Sequence, residues 1–262
     1  MASDIEAARI RSLPEDAFYI ADFITEEEEQ TLLQKITTAP LPRWTHLSHR
    51  RLQTWPSALS KSNTLIASPL PPWLVSPIIT PRFDALGIFA DAPHRAPNHV
   101  LVNEYRPGQG IMPHEDGSAY YPLVATVSLG APIVLDLYAK EIAEGQAEAG
   151  TTANEAGADV NAERDGGRRR GPQHRILQER RSLLVTRGRI YTEFLHGIAE
   201  TTVDEGLGAD SICNWDLLRE PAVFYGGRLH RDTRISLTYR DVRQVARLGN
   251  TMKFLGKRDG AT

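Results

Sequence analysis

Residues 97–122 read "PNHVLVNEYRPGQGIMPHEDGSAYYP" and mark the point where the chain changes character. From His99 onward, short β-rich runs follow one another between turn residues: HVLVNEY, LVATVSLG, PIVLDLY, RSLLVTRG, RIYTEFLHGI and RISLTYRDV. Successive strands without alternating helices predict a mainly β protein, a sandwich or jelly roll. Upstream the pattern is helical. In FYIADFITEEEEQTLLQKITTAP a strand feeds a helix, with Thr25 and Glu28 spaced as a capping box and an acidic first turn suited to the helix dipole. Leu32, Leu33 and Ile36 form its apolar stripe, and Pro40 and Pro42 stop it. A second helical stretch, PPWLVSPIITPRFDALGIF, is broken at Pro77 and Pro81. The N-terminal helices are expected to pack on one sheet, giving an α+β whole. Between them RWTHLSHRRLQTWPSALSKSN reads as a polar loop containing aromatic residues.

One domain spanning residues 1–262 is expected, long enough to enclose a substantial core. The formal charge of −3 argues against a globally basic nucleic-acid coat but leaves room for local basic patches. Cys213 is the only cysteine, which excludes an intramolecular disulfide and Cys-rich zinc modules. The start, MASDIEAARIRS, lacks the apolar core of a secretory signal, and no apolar run approaches the ~20 residues of a membrane helix. A monomer of the cytoplasm and nucleus, with no membrane partner, is the expectation. Residues 141–172 are rich in Gly, Ala, Glu and Arg, with Ile142 and Val160 their only large aliphatics. They are expected to be a disordered insertion within the domain. Residues 200–228 read as a more ordered excursion, because Trp215, Leu217, Leu218 and Phe224 can pack.

His114 and Asp116 stand two positions apart, so in extended chain they share a face while Glu115 points away. An imidazole and a carboxylate together are two thirds of the facial triad that holds iron(II) and leaves neighbouring positions open. The bland alternative is a turn in which Asp116 bonds nearby amides before Gly117. Of the eight histidines, His196 at the end of RIYTEFLHGI is the best third ligand, on a strand that can return to the pair. His174 beside the insertion and His230 among exposed-looking arginines are poorer choices, and His46 and His49 read as loop residues.

In RISLTYR, Arg234, Ser236, Thr238 and Arg240 share one strand face, opposite Ile235, Leu237 and Tyr239. If that polar face lines an interior, two guanidinium forks require anionic partners or strong hydration. A ligand with a carboxylate at each end, such as 2-oxoglutarate, satisfies both, and Asn103 with Tyr105 adds an amide and a phenol on one face. The alternative is an exterior strand with both arginines solvated.

Together, NEY, HED, LHGI and RISLTYR occur in the order found in the AlkB-like iron(II)- and 2-oxoglutarate-dependent dioxygenases, and the chain resembles that family. The string from Pro97 to Pro122, with DFITEEEE, RWTHLSHRRLQTWP, RSLLVTRG and LHGIAE, resembles the eukaryotic AlkB homologue branch numbered six. The resemblance implies a double-stranded β-helix, iron(II) on His114, Asp116 and His196, and 2-oxoglutarate and O2 as co-substrates. It implies that Arg234 pairs with the distal carboxylate, helped by Tyr105 and Ser236, and that Arg240 and Asn103 lie near the metal-chelating end. Ser118 stands where DNA-repairing relatives often carry an acidic residue. RWTHLSHRRLQTWP corresponds to the family's nucleotide-recognition lid, where Arg50 and Arg51 could meet phosphates, Trp55 or Trp44 could stack a base and Gln53 could read an edge; the alternative is a solvated loop with packed tryptophans. Three functions stay open: demethylation of alkylated RNA or DNA, hydroxylation of protein or small molecules on the same fold, and nucleic-acid binding with little turnover.

Overall fold

The computed structural model describes residues 4–14, 16–140 and 171–247. Of the stretch expected to be a disordered insertion, residues 141–170 lie outside the described residues. The strands run in chain order as β1 (Ala17–Ile20), β2 (Thr45–Leu47), β3 (Arg50–Trp55), β4 (Thr64–Ile66), β5 (His99–Tyr105), β6 (Ile111–His114), β7 (Leu123–Leu129) and β8 (Ile133–Ala139). After residue 170 come β9 (His174–Gln178), β10 (Leu183–Arg187), β11 (Phe194–Ile198), β12 (Val203–Glu205), β13 (Arg228–His230), β14 (Arg234–Arg240) and β15 (Gln244–Ala246). Seven form a major antiparallel sheet in the order β1-β10-β7-β14-β5-β3-β2, and four form a minor one, β6-β11-β8-β9. This is the predicted jelly roll.

Alternation along β14 sorts its side chains between two environments. Leu237 lies beside Val102 and Val127, and Tyr239 beside Val100 and Ala125. These apolar residues meet Leu32 and Ile36 of helix α1 (Glu26–Thr37) and Leu74, Ile78 and Phe83 of the broken helical segment in one cluster. Burying Leu32 or Ile36 contributes about 1.5–3 kcal/mol each. The opposite face of β14 looks toward the minor sheet, as the packing of Tyr105 with Ile133 and Ile198 shows.

The capping box forms as its spacing predicts: the Glu28 amide donates to Thr25 Oγ1 at 3.2 Å, and the Thr25 amide donates to Glu28 Oε2 at 2.8 Å. Glu29, one residue on, is fully buried and accepts from the Gly130 amide at 2.8 Å and from Arg180 Nε at 3.0 Å. Those bonds anchor α1 to the sheet. The second helical stretch is broken, into short turns at Pro72–Val75, Ile78–Phe83 and Asp84–Leu86. The excursion after residue 200 packs, with Leu207, Ile212, Leu218 and Phe224 buried together.

Two expectations change. The segment read as a loop contains a β-hairpin, β2–β3, that extends the major sheet by pairing with β5. RIYTEFLHGI is not one strand: Gly188–Glu193 is a short helix, and the strand begins at Phe194. Six residues give less than two helical turns, too few for a helical period to show.

Candidate metal and dicarboxylate site

The two histidines meet because their strands are paired in register. His114 of β6 lies directly opposite His196 of β11, with ring centroids 4.4 Å apart. The pairing then slips: Ile198 faces Ile111, so β6 carries one extra residue, a β-bulge beside the site. Pro113 sits within that irregularity on an edge strand, where a missing amide donor is tolerated. Gly197 makes the approach feasible, since a Cβ there would lie 3.0 Å from Pro113 N and 3.1 Å from the Ile111 carbonyl. Gly110 is equally constrained, because its Cβ would collide with the Ile198 carbonyl.

Electrostatics suit metal ligation. Burial, helped by the neighbouring His196, pushes the pKa of His114 down to about 4, and burial also lowers that of His196. Both imidazoles are therefore neutral near pH 7, the state that offers a lone pair. His114 Nδ1 lies 2.9 Å from the Met112 carbonyl, which assigns the ring proton to Nδ1 and leaves Nε2 as the lone-pair nitrogen. Burial would raise the Asp116 carboxyl, but Arg240 and the two histidines outweigh it and hold the carboxyl below its ordinary range. Arg240 Nη1 donates to Asp116 Oδ1 at 3.0 Å, and its guanidinium lies 4.0 Å from the Tyr120 ring centroid. Among the described residues no closed cluster of three metal-binding side chains is preassembled. The imidazoles are together, and the carboxylate beside them is engaged by Arg240.

At the other end of β14, Arg234 is buried, and its Nη2 donates to Ser128 Oγ at 2.9 Å and Gln178 Oε1 at 3.1 Å. Its Nε has no hydrogen-bond partner, and no carboxylate pairs with it among the described residues. Burial, with the like charge of Arg231 adding to it against Tyr105, lowers its pKa to about 10. Tyr105 and Ser236, both buried, flank it, Tyr105 directly opposite on β5. Asn103 lies opposite Ser236, and its Oδ1 accepts from Arg50 Nε at 3.3 Å. Ser128 and Gln178 were not singled out in the sequence. Gln178 ends β9, a strand hidden beside the low-complexity stretch, and no local pattern announces its partner.

The hairpin residues divide by face. Arg50 shares the inward face with Leu52, which lies opposite Asn103. Arg51, Gln53 and Trp55 fall on the outward face, opposite Glu104, Val102 and Val100. Arg51 makes a bidentate pair with buried Glu104 at 2.8 and 2.6 Å and covers the Trp44 ring at 4.0 Å. Gln53 is fully buried, donates to the Ile36 carbonyl at the end of α1 at 3.0 Å, and accepts from Trp55 Nε1 at 3.0 Å. Gln53, read as able to reach a base edge, is buried, and Trp44 and Trp55 pack with it between the hairpin and the helix layer, which is the packed alternative. Arg51 likewise belongs to that layer, and Arg50 alone of the four points to the site side.

The histidines read as poorer ligands or as loop residues sit on other elements. His174 starts β9 with Cys213 Sγ 3.8 Å away, and His49, in the hairpin turn, meets exposed Glu200 at 3.2 Å. His46 belongs to β2 rather than a loop, and His230 is exposed on β13. Its neighbour Arg231, expected to be exposed, is buried in a bidentate pair with Asp204.

The donors present fit the groups the sequence implies. Two neutral imidazoles with an adjacent carboxylate suit iron(II), and a buried guanidinium lacking a carboxylate suits one end of a dicarboxylate. Comparison with known proteins points the same way. The family model for the 2OG-Fe(II) oxygenase superfamily matches residues 16–240. "Probable RNA/DNA demethylase ALKBH6" of Danio rerio is 37% identical over 255 residues, 97% of this chain and 96% of that protein. "Uncharacterized protein L905" of Acanthamoeba polyphaga mimivirus is 26% identical over 229 residues, 85% of this chain and 83% of that one. The solved structure of OsALKBH1 shares the fold, with a TM-score of 0.53 at 13% identity, covering 87% of this chain and 98% of that one. A match running from β1 to the last residue of β14 takes in both sheets, and this chain belongs to the 2OG-Fe(II) oxygenase superfamily, whose members use iron(II) and 2-oxoglutarate with O2.

Proposed function

We propose that this chain is an AlkB-type dioxygenase that oxidatively demethylates alkylated RNA or DNA. His114, Asp116 and His196 hold iron(II), and Arg234, Tyr105 and Ser236 hold the distal carboxylate of 2-oxoglutarate, with Arg240 and Asn103 toward the metal end. The observation that carries this reading is Arg234, a buried cation with no carboxylate partner among the described residues, on the same inward strand face as the arginine that grips Asp116. The nucleic-acid substrate is supported by likeness to the Danio rerio relative.

When bound, iron(II) with 2-oxoglutarate and O2 supplies oxidation of a substrate C–H bond; hydroxylating an N-methyl group releases formaldehyde and leaves the base demethylated. The chain supplies position. The Met112 carbonyl fixes the His114 tautomer, Arg240 orients the Asp116 carboxylate, and Ser128 and Gln178 hold the Arg234 fork. Arg50, on the inward face of the hairpin, is the phosphate-contact candidate.

The test presents the protein, iron(II) and 2-oxoglutarate with methylated RNA, DNA and peptide pools while succinate and formaldehyde are measured. Formaldehyde formed with RNA or DNA supports the reading. Succinate coupled to peptides alone, or nucleic-acid binding without coupled succinate, overturns it.

A further inference from the structure

The helix Gly188–Glu193, absent from the sequence reading, places a side chain beside the metal corner. It is tied there by Lys140. The Lys140 ammonium forms an ion pair with Glu115, between His114 and Asp116, and donates to the Thr192 carbonyl at 2.8 Å; the Lys140 amide donates to the Glu193 carbonyl at 2.8 Å. The helix is thus bound to the segment carrying two of the proposed ligands, and five residues after Tyr191 the chain reaches the third, His196.

Within this arrangement the Tyr191 hydroxyl is buried and has no hydrogen-bond partner among the described residues. A buried hydroxyl left unpaired costs free energy that a phenylalanine of nearly the same shape would avoid. The charged groups that act on it include Asp116 and Arg240 of the metal corner, with Arg243 and Glu115, and not Arg234. Burial first, and the Asp116 charge second, hold the phenol well above its ordinary pKa, so it remains a proton donor at neutral pH. A phenol O–H needs an acceptor lone pair, which a base offers through a carbonyl oxygen or a ring nitrogen.

We propose that Tyr191 is a substrate-positioning residue whose hydroxyl donates a hydrogen bond to a neutral acceptor, a carbonyl oxygen or ring nitrogen, on the base brought to the metal corner. The proposal deepens the demethylase reading and rests on it. A site that hydrogen-bonds its ligand discriminates through the buried group it would otherwise leave unpaired.

The test compares the native chain with Tyr191→Phe, both loaded with iron(II) and 2-oxoglutarate under anaerobic conditions. Fluorescence anisotropy reads binding of labelled RNA and DNA oligonucleotides, each with and without one N-methylated base. Calorimetry reads 2-oxoglutarate affinity, and thermal melting reads stability. The expected result is a five- to tenfold weaker preference for the methylated oligonucleotide, unchanged 2-oxoglutarate affinity, and a melting temperature equal to or above the native value. A variant that keeps the native preference refutes the role. So does one that loses melting temperature and 2-oxoglutarate affinity together, which marks Tyr191 as structural. If the native chain binds 2-oxoglutarate but shows no preference for methylated oligonucleotides, the demethylase reading fails and takes this inference with it.

Discussion

Arg234→Met isolates the cation on which the 2-oxoglutarate assignment rests. Burial lowers the guanidinium pKa from its ordinary value to about 10, so keeping it charged inside the fold costs about 3 kcal/mol at neutral pH, at roughly 1.4 kcal/mol per unit. Methionine removes that cost, fills much of the same volume, and deprives Ser128 and Gln178 of a charged donor, a loss of about 1.5–3 kcal/mol. The two changes nearly cancel, so the ligand-free variant is expected to melt within a few degrees of the native chain. Ligand binding should behave differently. Losing a charge-assisted contact of about 1.5–3 kcal/mol weakens Kd about 10- to 150-fold. At a 2-oxoglutarate concentration 100 times the native Kd, the native chain gains about 2.7 kcal/mol, or about 5–10 °C of melting temperature in a chain of this size. The variant gains about half of that or less. Differential scanning fluorimetry with iron(II) under nitrogen measures the shift, and calorimetry gives Kd directly. An equal shift in native and variant proteins, or none in the native one, refutes the assignment.

His114→Ala and Asp116→Ala should each reduce iron-dependent succinate formation at least about 100-fold by deleting a ligand; retained turnover in either removes that residue from the metal set. Gly197→Ala puts a methyl group 3.0–3.2 Å from the Pro113 and Ile111 backbone, so β6 must move away from β11. Iron(II) affinity by competition with a chelator should fall at least about tenfold, and unchanged affinity would show that the strands adjust without disturbing the histidines. Gln53→Ala should cost about 1–3 kcal/mol in urea unfolding, because the carbonyl at the end of α1 and the Trp55 indole both lose a partner. Oligonucleotide affinity should follow Arg50→Ala instead, weakening with a reduced salt dependence; the reverse outcome restores Gln53 to substrate reading.

Much of this architecture was legible because periodicity and burial coincide. The run HVLVNEY becomes β5 with both ends as read, RISLTYRDV becomes β14 but stops at Arg240, and the polar face of RISLTYR does point inward. The hairpin at residues 45–55 was illegible for the opposite reason. Gln53 is fully buried and Arg51 sits against a buried carboxylate, so polarity there does not mark the solvent side. Knowing the hairpin as strands would already have separated Arg50 from Arg51, since neighbours in a strand face opposite ways. The bulge beside the His114–His196 pair depends on Gly197 in β11 and Gly110 just before β6, a tertiary coincidence without a local signature. Tyr191 escaped notice because its meaning lies in a bond it does not make.

The position of β14 within its sheet has a consequence for how such a protein can change. It is paired along both sides, to β7 and β5, whereas β2 closes one margin of the same sheet and β6 one margin of the other. Central ladders open last in amide exchange and margins first. The proposed grip on the co-substrate is therefore built into the slowest-breathing part of the fold, while the margins can be remodelled to admit a new target without loosening it.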